Sequence, residues 1–138
     1  MDAKEAMQKL AALNNRSQET SPEVQKLIFT DIPNAIESLE LQKRFDEAQQ
    51  LAQAKYDTAA GVFGKQSVAA LDALQDLIFL QVQKHDEQQK KRYLSEYASL
   101  ANTMRSSGRG DLVDKANDVR AARLQRKLEE ASAALKFE

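Results

Sequence analysis

The chain has 138 residues, with 20 Lys and Arg against 21 Asp and Glu, a formal charge of −1. That balance argues against a protein built mainly to coat nucleic acid or an anionic membrane. Cysteine is absent and His85 is the single histidine, which excludes disulfides, thiol catalysis and any metal site that needs Cys or several His ligands.

Ala, Leu and Gln are abundant, while there are only 4 Gly and 2 Pro. Both prolines, Pro22 and Pro33, fall in the first quarter of the chain. This is the composition of an all-helical protein of one domain's length. No apolar run approaches the roughly 20 residues needed to span a bilayer. The N-terminus is polar and carries no signal-peptide pattern. A cytoplasmic protein is therefore expected.

Residues 1–20 read as a flexible or partly helical tail, with Met7, Leu10 and Ala11 forming at most one short apolar stripe. Ser21-Pro22-Glu23 is a helix start: a capping residue, a proline suited to the first turn and an acid at the positive end of the dipole. Val24, Leu27, Ile28, Ile32, Ala35, Ile36 and Leu39 continue at helical spacing. Pro33 interrupts them, which predicts either one kinked helix or two short ones. Phe45, Ala48, Ala52, Tyr56, Ala59 and Phe63 then make one stripe of an amphipathic helix. Gly61 and Gly64 mark its end.

From Ser67 to about Lys84 the apolar residues cover most of the helix circumference, which predicts the buried central helix. Asp86 to about Ser107 places Tyr93, Tyr97, Leu100 and Met104 on one stripe, so the tyrosines belong to the core. Ser106-Ser107-Gly108-Arg109-Gly110 is the strongest turn signal in the chain. The last helix, Asp111 to about Lys136, carries a first stripe of Leu112, Ala116 and Val119. Continued in phase, that stripe puts Arg123 in the core-facing row. Leu124, Leu128, Ala131 and Leu135 form a second stripe with coiled-coil spacing on a rotated face. The expected division is a tail over 1–20, a helical domain over 21–122 and a C-terminal helix extension over 123–138.

Two passages recur. Gln25-Lys26-Leu27-Ile28-Phe29 is echoed by Gln75-Asp76-Leu77-Ile78-Phe79, and Gln42 to Gln50 by Gln83 to Gln89. Such self-similarity suggests helical-hairpin repeats. Lys43-Arg44-Phe45-Asp46-Glu47-Ala48, Ala73 to Leu80, and Leu100 to Arg109 followed by Asp111 to Ala116 resemble the tetratricopeptide-repeat (TPR) family, in the long-helix variant of kinesin light chains. The likeness covers residues 22–122. The resemblance implies four to five antiparallel helices stacked as hairpins, with the first helix of each pair lining an inner groove that takes a partner segment. Carried onto the second pair, it places Asp72, Gln75, Asp76 and Phe79 at or beside the partner. An unrelated helical bundle accommodates the same stripes.

No catalytic constellation is readable. His85 sits in a charged junction without an adjacent nucleophile. Asp72 and Asp76 share a helix face, but the Glu-x-x-His partners of a di-metal site are missing. Lys90-Lys91-Arg92 is read as a solvated face. The Gln-rich surface, including Gln49, Gln75, Gln81 and Gln83, is read mainly as uncharged helix surface. The expectation is a non-catalytic protein–protein interaction module and scaffold. It has no cofactor and no metal, binds neither nucleic acid nor membrane, and takes a partner helix or peptide in its groove. The alternative is a structural bundle that self-assembles as a weak homodimer through Leu124, Leu128 and Leu135.

Overall fold

The computed structural model describes residues 1–13 and 21–135, and among them every regular element is helical. Helix α1 spans Ala3–Ala11 and α2 spans Pro22–Lys26. A π-helical turn, Leu27–Asp31, joins α2 to α3, Ile32–Leu41, as one bent rod. Helices α4 (Phe45–Val62), α5 (Val68–Lys84), α6 (Glu87–Ser106) and α7 (Gly110–Leu135) follow. Counting the bent rod once gives six helices among the described residues, against the four to five expected.

The additional helix is α1. Asp2 caps it by accepting a hydrogen bond from the Glu5 amide at 2.8 Å. Ala6 and Leu10 are buried, and the helix packs on α3 and α4. Its inward face runs through Ala6 and Leu10, while Met7 points outward. A stripe drawn through Met7 therefore understated how well this segment buries itself. The polar residues 14–20, assigned to the same tail, lie outside the described residues.

Pro33 bends the rod without breaking it. Proline has no N–H to give to the carbonyl four residues back, and its ring crowds that turn. The helix widens immediately before it, and the Ile32 N–H donates to the Leu27 carbonyl, five residues back. A π-turn of this kind absorbs one misfit and lets the apolar face continue. Leu27, Ile28, Ile32, Ala35, Ile36 and Leu39 are all buried.

Helix α5 is the central element. It packs against α4, α6 and α7, and the six consecutive residues from Ala69 to Leu74 are all buried. A helix covered on three sides has to be apolar nearly all round, as its sequence is. One core cluster joins α1 to α5 and includes Tyr93 from α6. A second gathers Leu71, Ala101, Met104, Val113 and Ala116 between α5, α6 and α7.

Helices α3 and α4, and likewise α5 and α6, are joined by turns of the same form. Lys43 and His85 each sit at φ 58°, the left-handed conformation that ends a helix. The next amide turns back in both cases: Arg44 to the Leu39 carbonyl at 2.9 Å and Asp86 to the Gln81 carbonyl at 3.0 Å. The recurrence of Gln42 to Gln50 at Gln83 to Gln89 thus marks two equivalent hairpin corners. The other echo has no such equivalence. Gln25 to Phe29 opens the bent rod, whereas Gln75 to Phe79 lies in the second half of α5. Gly108, at φ 80°, makes the third corner, with the Arg109 amide on the Met104 carbonyl at 2.7 Å.

Helix α7 runs without interruption through residues 122 and 123. No helix among the described residues is long and apolar enough to cross a membrane.

Candidate functional site

Three helices that are not chain neighbours, α3, α5 and α7, border one narrow groove, about 50 Å³ in volume. Its floor is an ion cluster. Lys55 of α4 and Asp72 of α5 have no exposed surface at all, and the Lys55 ammonium meets the Asp72 carboxylate at 2.9 Å. Lys55 also donates to Asp76, one helical turn further along α5. From the opposite side Arg123 of α7 grips Asp72 through two hydrogen bonds, Nη1 to Oδ1 at 3.1 Å and Nη2 to Oδ2 at 3.0 Å. The same Nη2 donates to the Phe29 carbonyl at 3.1 Å. Arg120 stands over the Phe79 ring, 5.4 Å from its centroid, and 4.0 Å from Asp76.

Burial alone pushes the Asp72 carboxyl up, but Lys55 beside it and the Arg123 hydrogen bonds hold it below the usual carboxylate range. Burial disfavours the charged form of Arg123 too, but the hydrogen bond to Asp72 together with the charges of Asp72, Asp76 and Glu37 outweighs it and raises Arg123 above the usual arginine value. At the rim, Lys127 pairs with Glu37 at 2.6 Å, and the Gln83 amide donates to the Glu40 carboxylate. Burial holds Glu40 above the ordinary glutamate value. Lys55, Arg120, Arg123 and Lys127 thus face Asp72, Asp76, Glu37 and Glu40, so the groove is electrically balanced.

The four residues expected at a partner-binding face are treated differently by the structure. Asp72 is turned inward and sealed by Lys55 and Arg123, so it cannot touch a partner. Asp76 is spent on the same cluster. The Gln75 amide donates to the Tyr97 hydroxyl at 2.9 Å and to Asn117 at 3.2 Å, joining α5 to α6 and α7. Phe79 does point outward, 46% exposed. Asp72, Gln75 and Asp76 are therefore internal fasteners, because α7 packs over the face of α5 that carries them.

The glutamines correct a second expectation. Gln81 is buried and donates to Gln49 at 2.6 Å, and Gln49 donates to the Tyr93 hydroxyl at 3.3 Å. These amides tie α4, α5 and α6 together; they are not merely helix-compatible surface.

On α7, Arg123 occupies the core-facing row, and the second stripe is rotated away from it. Leu124 is 49% exposed and Leu128 is 64% exposed. Leu135 ends the described helix, and its side chain lies outside the described part. Leu124 and Phe79 border the same groove from opposite sides. Val82 and Leu128, each about one turn further along its own helix, are exposed as well. Four large apolar side chains on two locked helices therefore stand in water.

Sequence reasoning missed Lys55 and the role of Arg123. Of the stripe expected on α4, Ala48, Ala52 and Ala59 are buried and Phe45, Tyr56 and Phe63 pack at the edge of the core, but the fully buried row also takes in Leu51, Lys55 and Val62. Lys55 falls in that row at helical spacing. A lysine in an apolar row of α4, two aspartates one turn apart on α5 and an arginine in the apolar row of α7 are together the signal of a buried ion cluster. Comparison of the chain with protein-family models, curated proteins and solved structures finds no match.

Proposed function

We propose that this chain is a non-catalytic protein-interaction module of stacked helical hairpins, TPR-like in plan, that docks a partner helix or peptide segment. The docking face is formed by Phe79 and Val82 of α5 with Leu124 and Leu128 of α7. The observation that carries this reading is that Phe79 and Leu124, both about half exposed, border one groove. Exposed large apolar side chains that share a groove mark interaction sites more often than scattered ones do. The ion cluster beneath fixes α5 against α7, so the face is rigid before a partner arrives, which lowers the entropy cost of binding. That α3, α5 and α7, the first helices of successive hairpins in this plan, border one groove supports the reading.

A photo-crosslinking residue at Val82 tests this. It is expected to capture a partner, whereas the same residue at exposed Leu94 on α6 is expected to capture none. Equal capture at both positions would argue against a docking face on α5 and α7.

A second reading has its own observation. Leu124 and Leu128 have coiled-coil spacing and are the most exposed large apolar residues among the described side chains of α7. Self-association through this stripe would use part of the same face. Light scattering on wild type and Leu128→Asp distinguishes the two. A dimer lost in the variant supports self-assembly, and a monomer in both supports a different partner.

A further inference from the structure

A second hollow shares no residue with the groove. It lies between the start of the bent rod, the end of α4, the start of α5 and the first half of α7, is open to solvent and has a volume of about 410 Å³. Phe29, Phe63, Val68, Leu112 and Val119 line it. The two phenylalanine rings meet edge to face, with centroids 6.2 Å apart and planes at 72°. All five side chains are only partly buried, so each leaves apolar surface facing the hollow. The volume falls within the range of about 300–1,000 Å³ that small-molecule sites occupy, and such sites combine an apolar lining with a few polar groups.

The polar groups around this hollow differ in whether they are already engaged. The Ser67 hydroxyl donates to the Gly64 carbonyl at 2.6 Å and accepts from the Ala70 amide at 3.1 Å. Gln66 accepts from Arg109 at 2.7 Å. Gln25 is engaged as well. Lys115 is the exception: it is exposed and forms no ion pair among the described residues. One uncommitted cation therefore stands beside an apolar hollow whose other polar groups are in use. The ligand that matches has an apolar body and one negative charge.

We propose that this hollow binds a small amphiphilic anion, a medium-chain or aromatic carboxylate. Its apolar part lies against Phe29, Phe63, Val68, Leu112 and Val119, and its carboxylate meets the Lys115 ammonium. The site is independent of the protein-docking face.

Anilinonaphthalene sulfonate, an aromatic anion, and decanoate are the probes. Wild type is expected to bind the dye saturably at one site, with decanoate displacing it and decanol displacing it much less well. Lys115→Glu should weaken dye and decanoate binding by about tenfold through charge reversal. Val119→Trp should fill the hollow and abolish binding while the helical circular dichroism is kept. Should Val119→Trp fail to fold, NMR on wild type decides. Decanoate is then expected to shift the ring protons of Phe29 and Phe63 and the methyls of Val68, Leu112 and Val119. Non-saturable dye binding, Lys115→Glu binding like wild type, or decanoate shifts confined to Phe79 and Leu124 would each overturn the proposal.

Discussion

Arg123, in the middle of α7, donates to the backbone carbonyl of Phe29, 94 residues earlier in the chain, at 3.1 Å. Phe29 is four residues before Pro33, so its carbonyl is the one that Pro33 has no N–H to serve. One guanidinium thus meets two needs. It caps a carbonyl at the proline bend, and through two further bonds to Asp72 it neutralises that carboxylate and holds α7 against α5. This makes Arg123 the residue that fixes α7 to the body, and it gives the account its first stability prediction.

Removing the Asp72 carboxylate leaves Arg123 buried without its two-bond partner and Lys55 with Asp76 alone. Breaking a buried ion pair by deleting one partner costs about 3–5 kcal/mol. Asp72→Asn should therefore lower the urea midpoint sharply. Replacing Lys55 and Asp72 together by Met and Leu should cost much less than the sum of the two single changes. A cost below about 1 kcal/mol for Asp72→Asn, against that 3–5 range, would mean that the cluster is solvated in solution.

The central place of α5 gives an independent test. Leu77 has no exposed surface, so Leu77→Ala should cost about 2–5 kcal/mol, the range for buried leucine truncation. Its amides should be the slowest in the chain to exchange. Leu94→Ala, on the exposed face of α6, should be nearly neutral.

The pH dependence follows from two carboxylates with opposite shifts. Asp72 is held low in the folded state by Lys55 and Arg123 despite its burial. Its contribution is fully present above the unfolded aspartate value and is lost as pH falls through the depressed folded value. Glu40 is held high, chiefly by burial. The folded state binds its proton more readily than the unfolded state does, so stability declines as pH rises from the ordinary glutamate value through the raised one. Glu40→Gln keeps an acceptor for Gln83 and should stabilise the protein at pH 7 while removing that decline. Melting curves from pH 3 to 8 on wild type and variant measure both effects.

The two left-handed corners allow a gain in stability. A side chain in this conformation costs roughly 1–2 kcal/mol, and glycine avoids most of that while losing about 0.4–1 kcal/mol through a freer unfolded chain. Lys43→Gly should therefore raise the melting temperature modestly, and His85→Gly should do the same. A lowered melting temperature for both would show that the side chains contribute to the corners in ways that their backbone geometry does not reveal.

The helical elements from Pro22 to Leu135 were legible in the sequence because each carries a stripe at helical spacing and recognisable turns separate α4 from α5, α5 from α6 and α6 from α7. Helix α1 was not, since its buried face consists of one alanine and one leucine. The central helix could be read because six consecutive buried residues leave α5 almost no room for charge. The same logic misplaced Asp72, Gln75 and Asp76. In a helix apolar nearly all round, polar residues suggest an opening to water. Here they instead mark where long polar side chains from α4, α6 and α7 arrive. Only the position of Lys55 in an alanine row and of Arg123 in the core row could have revealed it.

The central claim is that a partner docks on the face shared by α5 and α7. Affinity capture from the native source with wild type, Phe79→Asp and Leu94→Asp tests it most directly, with the folding of all three verified by melting. The account predicts proteins captured by wild type and Leu94→Asp and lost with Phe79→Asp. Capture unchanged by Phe79→Asp, or lost equally with both variants, would contradict it.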